Sequence, residues 1–281
     1  MVSQWVILAA LGGIFSNAFD FFSRYILRRE SDSTFWAWYF EALRLIIFTI
    51  LVFFNFYIQL EIKTFFLLFI VGFTELLAVF LYMKMHKYLQ LSISTILLRS
   101  RLIWIPLISF IFLGQNLDLS GYIGILLLFI GISVILIPKK LYFDKGARFA
   151  LAAAFVLSIN FIFIKQSTHY ASLPLIIIAD SLPAFIIFPI IMRNFKKRVI
   201  EGVKRNLVLK LTAVGLNAVS ANFLLLALTI GDVSKVNAIH QAMMVTAILA
   251  GIVLLKEKEN ILNKLLGTIM TVVGVILLIR T

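Results

Sequence analysis

The chain has 281 residues, 62% of them hydrophobic and 14% charged, with a mean hydropathy of +1.05. Soluble domains run nearer 45–50% apolar and about 25% charged, so these proportions exclude a single water-soluble domain and exclude disorder. A formal charge of +13 in a chain this apolar points to a basic cytoplasmic face rather than to nucleic acid.

The hydrophobic runs fall near 4–27, 34–57, 63–86, 91–113, 119–138, 147–168, 173–193, 207–230, 233–255 and 261–280. Each is long enough to be read as a membrane helix, at roughly 20 apolar residues per span. The first run, from Trp5, has no basic segment before it and reads as a retained helix rather than a cleaved signal. Breaks coincide with Arg28-Arg29-Glu30-Ser31-Asp32, Lys139-Lys140 and the stretch from Asn194 to Asn206, which is read as a loop. Open sheet edges cannot be satisfied in lipid, and the runs lack the alternation of a transmembrane barrel. The expected fold is therefore an all-α polytopic membrane protein of ten helices. The loops and tails that remain leave no room for a soluble catalytic domain.

The two halves match each other. At a shift of 142, Leu91-Ser92 falls on Val233-Ser234, Glu75 on Asn217, Thr95 on Asn237, Arg99 on Gln241 and Gln115 on Glu257. One residue further, Gly124 and Gly131 fall on Gly267 and Gly274, keeping a seven-residue spacing that puts each pair on one helix face. The expected organisation is a first five-helix repeat over 1–138, a linker over 139–146 and a second five-helix repeat over 147–281. Five is odd, so the second copy must lie inverted, the arrangement of secondary carriers with their site at the repeat interface.

The run Met85-His86-Lys87-Tyr88-Leu89-Gln90-Leu91-Ser92 resembles the Ala-Leu-Lys-Tyr-Leu-Pro-Ala-Ser segment of the ten-helix EamA-like branch of the drug/metabolite transporter superfamily. Ala227-Leu228 through Val233-Ser234 is similar to a second copy, and Leu113-Gly114-Gln115 to the family's Leu-Gly-Glu. Leu255-Lys256-Glu257 keeps that acid and loses the glycine. Asn160-Phe161 with Lys165 resembles the family's Asn-Phe-x-x-x-Lys in the opening helix of a repeat, the first helix offers Ser16-Asn17 without the family's Trp-Gly, and Leu43-Arg44-Leu45 resembles the second-helix arginine pattern. The resemblance covers the whole chain and implies a transporter with a central cavity between the repeats.

Charged side chains at mid-bilayer cost at least about 2.5–3.5 kcal/mol each, so they face an interior or a cavity. The candidates are Asp20, Glu41, Arg44, Glu75, Arg99, Arg101, Lys165 and Asp180. Glu41 and Arg44, three apart, can pair on one helix, and Asp180 reads as a further structural acid. Lys165, near a helix end, can snorkel to the headgroups. Thr95 and Arg99 share one helical face, and their repeat partners Asn237 and Gln241 share another with His240 at its margin. These five, with the pair Glu75 and Asn217 placed deeper or to the side, are the candidate cavity residues. Arg101, two positions beyond Arg99, points nearly opposite on an ideal helix and reads as an ion-pair partner for an acid on a neighbouring helix.

The chain has no cysteine, and His86, His169 and His240 are too far apart for a local metal motif. No metal, other cofactor or enzymatic activity is expected. The leading function is a secondary carrier moving a small polar or amphiphilic metabolite, anionic if Arg99 serves it. The alternatives are a flippase for a lipid-linked or phosphorylated headgroup and a non-transporting scaffold or receptor subunit. The expected location is a prokaryotic cell membrane, with lipids as surroundings. Of 26 Lys and Arg, Lys63, Lys235 and Arg280 lie on the side of the termini and 19 lie opposite. The positive-inside rule then puts both termini outside the cytoplasm, against the family default.

Overall fold

The computed structural model describes residues 3–30, 32–88, 96–135, 145–246 and 260–280. Among them every extended regular element is a helix: α1 (Gln4–Glu30), α2 (Ser33–Val52), α3 (Ile62–Tyr88), α4 (Arg101–Leu113), α5 (Leu119–Ile135), α6 (Lys145–Ser167), α7 (Leu173–Ile191), α8 (Phe195–Gly202), α9 (Leu207–Ile230), α10 (Val233–Ala242) and α11 (Ile261–Ile279). Eight helical stretches are long and apolar enough to cross a membrane, the fourth running from Ile96 to Leu113, and α5 is a shorter apolar helix. Thr95, most of the expected linker, and Leu255-Lys256-Glu257 lie outside the described residues.

Local sequence sets the helix ends. The Asp32 carboxylate accepts the Phe35 amide at 3.1 Å and starts α2. Gly114, at φ 64°, closes α4 in a left-handed turn that a side chain would strain. Asn194, Asn206 and Asn260 hold positive φ just before α8, α9 and α11, a conformation asparagine tolerates better than most residues.

The stretch from Asn194 to Asn206, expected as a loop, contains α8. Phe195 sets its ring edge-on against Trp38 of α2 at 4.7 Å, and Val199 packs with the cluster around Phe35 and Tyr39. Eight residues with two apolar anchors are too short to show helical periodicity, and tertiary packing decides the structure there.

Four long pairings hold the bundle: α1 against α9, α3 against α6, α5 against α11 and α2 against α7. The α5–α11 contact is backbone on backbone. A Cβ at Gly124 would meet the Gly274 carbonyl at 2.8 Å, and one at Gly131 would meet the Gly267 carbonyl at 2.7 Å. In lipid such close approach supplies the dispersion contact that water-driven burial cannot. The outer faces carry exposed Phe69, Ile111, Leu126 and Ile190, as a bundle solvated by acyl chains requires.

Candidate functional site

A cavity of about 330 Å³ lies among α1, α2, α3 and the turn that leads into α4, within the size range of small-molecule sites. It begins beside Ser16 and Asn17, midway along α1, and reaches Leu27 and Ser33 where α1 hands over to α2. Asp20, Glu41, Glu75, Arg99, Arg101 and His240 face it, between apolar walls that include Phe19, Trp36, Phe40 and Val79. The Trp36 indole donates to the Ser23 hydroxyl at 2.7 Å, tying α2 to α1 at the cavity wall.

Behind this wall Arg44 joins two helices. Its guanidinium donates to Glu41 at 3.0 Å on its own helix and to Asp180 of α7 at 3.0 Å, with all three side chains buried. Asp180 also accepts from the Asn160 amide at 3.1 Å. The same amide nitrogen lies 3.0 Å from the Val71 carbonyl and 3.1 Å from the Thr74 hydroxyl. Removing one member of such a buried set strands the others.

At the opposite end of the bundle, polar contacts tie the helices together. The Lys165 ammonium donates to the carbonyls of Leu228 and, at 3.2 Å, Gly231, at the C-terminal end of α9. Lys165 therefore caps a helix whose last carbonyls lack intrahelical donors instead of snorkelling toward headgroups. Ser109 and Ser234 share a hydrogen bond of 2.9 Å between α4 and α10, and the Val233 amide donates to the Gln115 side chain at 3.1 Å. The loop after α2 pairs with the loop after α6, Ser172 donating to the Tyr57 carbonyl at 2.8 Å and Gln59 to that of Tyr170 at 2.8 Å.

The model of the EamA-like transporter family matches this sequence twice, over residues 3–137 and 144–280. The chain belongs to the EamA-like transporter family. It is an integral membrane protein of a transporter family. A solved structure described as "Crystal structure of protein" shares its fold at a TM-score of 0.75 and 14% identity, covering 99% of this chain and 96% of that one. No curated protein matches the sequence.

The expected cavity residues divide in three. Arg99, Glu75 and His240 line the cavity. Gln241 and Asn237 are buried behind it: Arg99 donates to Gln241 at 3.1 Å and to the Met244 sulfur at 3.5 Å, and Gln241 donates to Asn237 at 2.9 Å. Asn217 is not part of the lining; its carbonyl oxygen is buried with no hydrogen-bond partner among the described residues. Thr95 lies outside the described residues.

Arg101, expected to turn away from Arg99, lines the same cavity. Hydrogen bonds from Arg99 to Ile96, Ser100 to Leu97, Leu102 to Arg99 and Ile103 to Ser100 run three residues back, so the chain is wound tighter than an α-helix. At roughly 120° per residue instead of 100°, positions two apart swing toward a common side. Arg101 makes no ion pair with any described residue.

Lys210 falls inside the run 207–230, where the sequence alone gives it no role. It is fully buried, 2.7 Å from Glu30, donating to the Gly202 carbonyl at 2.7 Å and facing the rings of Phe35 and Tyr39 at 5.3 and 5.4 Å. Nothing local in the sequence signals that Glu30 reaches it.

Proposed function

We propose that this protein is a secondary carrier that moves a small polar or amphiphilic metabolite by alternating access, through ten helices arranged as two inverted five-helix units. The observation that carries the reading is a cavity wide enough for a small molecule, with apolar walls around Arg99 and Arg101, in a bundle whose other end is held by hydrogen bonds between helices. Two guanidiniums facing one space favour a carboxylate or phosphate through charge-assisted hydrogen bonds. The apolar walls at Phe19, Phe40 and Val79 suit an attached hydrocarbon body, which also favours, as the second reading, flipping of a phosphorylated lipid headgroup.

The cavity reaches the end that carries Arg28, Arg29 and the basic stretch from Arg193 to Arg205. On the positive-inside rule it opens to the cytoplasm and both termini lie outside. A reporter fused at Thr281 that is active only in the cytoplasm overturns that orientation.

The site is tested by ligand-induced thermal shift on detergent-purified protein, since a ligand that binds the folded state raises apparent stability. Carboxylates or phosphates with an apolar body are expected to stabilise the wild type. The Arg99→Gln protein is expected to unfold near the wild-type temperature without ligand and to lose at least about tenfold in affinity, the weight of one charge-assisted contact. Unchanged affinity in a folded Arg99→Gln protein contradicts the assignment.

A further inference from the structure

Two opposite charges face the cavity without meeting. The Glu75 carboxylate, half-buried on α3, makes no hydrogen bond or ion pair with any described residue. The Arg101 guanidinium, at the start of α4, makes none either, and its Nε is buried with no acceptor among the described residues. Both belong to the cavity wall, and each feels the other's charge.

The described neighbours leave Glu75 without a resident cation. Arg44, the guanidinium on its side, is already divided between Glu41 and Asp180 at 3.0 Å each. Those two carboxylates act on Glu75 as like charges. An ionised carboxylate inside a membrane protein, near two others, is costly unless a cation joins it. At the other pole Arg101 stands beside a second guanidinium, Arg99, which repels it, while Asp20 and then Glu75 attract it across the cavity without an ion pair to Arg101. An anion placed there relieves that repulsion and gives the Arg101 Nε an acceptor.

We infer that Glu75 and Arg101 are the two poles of a zwitterion site: Arg101, with Arg99, holds a carboxylate or phosphate, and Glu75 holds a primary ammonium on the same ligand. This deepens the carrier reading and rests on it for the location of the site. The gap is left open because the ligand closes it, each of its charged ends replacing water with an opposite charge. Glu75 is thus the residue that separates an amino-bearing anion from a plain one. A ligand lacking the ammonium leaves the carboxylate desolvated and unpaired, which is the stronger form of discrimination.

The test uses a matched set with one apolar body: L-leucine, 4-methylpentanoate and 3-methylbutylamine, with O-phosphoethanolamine and ethyl phosphate as the phosphate pair and lysophosphatidylethanolamine as the lipid-borne form. Binding to the purified full-length protein is read by thermal shift and by calorimetry. The expected order is zwitterion at least about tenfold tighter than its singly charged analogue, in whichever of the two anion series binds. Glu75→Gln, which breaks no hydrogen bond or ion pair among the described residues, is expected to erase that advantage, with 4-methylpentanoate or ethyl phosphate binding more tightly than to the wild type because no carboxylate is then left unpaired. Arg101→Gln is expected to lose both anion and zwitterion. Glu75→Asp, which keeps the charge, is expected to retain a preference for the zwitterion, so a merely structural role for Glu75 is separated from recognition. A zwitterion bound no better than the plain anion, or an advantage that survives Glu75→Gln, overturns this inference and leaves the anion site standing. Binding of none of the compounds overturns both. A response to lysophosphatidylethanolamine alone supports the same poles with a lipid headgroup as the ligand.

Discussion

Asn17 and Asn160 occupy corresponding places in the two halves, 143 residues apart on α1 and α6, and their surroundings differ. The Asn160 amide is within hydrogen-bonding distance of Asp180, Val71 and Thr74 at 3.0–3.1 Å. The Asn17 amide nitrogen, on the cavity wall, is buried with no hydrogen-bond partner among the described residues. Glu41, the acid near Asn17, lies 139 residues before Asp180, while the helices carrying the two begin 140 apart at Ser33 and Leu173. Both acids meet Arg44, so the difference rests with the asparagines: Asn160 is tied into the interior, and Asn17 stands on the cavity wall. On the carrier reading this contrast marks the conformational state: the cavity stands beside Asn17, while the far end is held by contacts that both halves supply, Ser109 with Ser234 and Gln115 with Val233.

The largest expected effect is at the junction the two halves share. Arg44→Leu leaves Glu41 and Asp180 buried without a cation, and should cost about 3–5 kcal/mol in thermal or denaturant unfolding in detergent. Combining it with Glu41→Gln and Asp180→Asn should recover most of that loss. The α5–α11 contact belongs to neither end. Gly131→Leu forces a side chain into the Gly267 carbonyl and Thr271 and should destabilise by about 1–3 kcal/mol, with the accessibility of the two ends unchanged.

Lys165→Met attacks the closed end itself. It removes donors to two α9 carbonyls, about 1.5–3 kcal/mol for hydrogen bonds to a charged group. A cysteine introduced at Ser234, which is buried at that end, should change from unreactive to maleimide-reactive when Lys165→Met is added. Ser109→Ala, which takes one partner from the Ser234 hydroxyl and one donor from the Pro106 carbonyl, should give the smallest change, about 0.5–1.5 kcal/mol, read as a shift of a few degrees in unfolding temperature.

What the sequence made legible follows from what is periodic or repeated. The glycines at 124, 131, 267 and 274 lie face to face in the structure, because a seven-residue spacing of small residues is a property of a helix face whatever the rest of the fold. The candidate site was legible in part, since intramembrane charges at Glu75 and Arg99 have few places to go other than a cavity. Arg101 was misplaced because an ideal helical wheel does not know of the tight turn at residues 96–103. Asn17 and Asp20 carried polar character without a sign that they share a wall with α3 and α4. Lys210 finds Glu30 across the bundle at 2.7 Å, a contact set by how α1 lies on α9, which no local pattern encodes.

Closure at one end while the other stays open is the claim on which the account turns, and the chain, having no cysteine of its own, allows it to be tested cleanly. Ser109 and Ser234 are buried with their hydroxyl oxygens 2.9 Å apart, so Ser109→Cys with Ser234→Cys places two thiols where oxidation can join α4 to α10. The measurement is exchange, across proteoliposomes, of whichever compound gives the largest thermal shift. With the disulfide formed, the account predicts that the compound still binds, that exchange stops, and that a reductant restores it. Exchange that continues at the same rate with the cross-link complete contradicts the account.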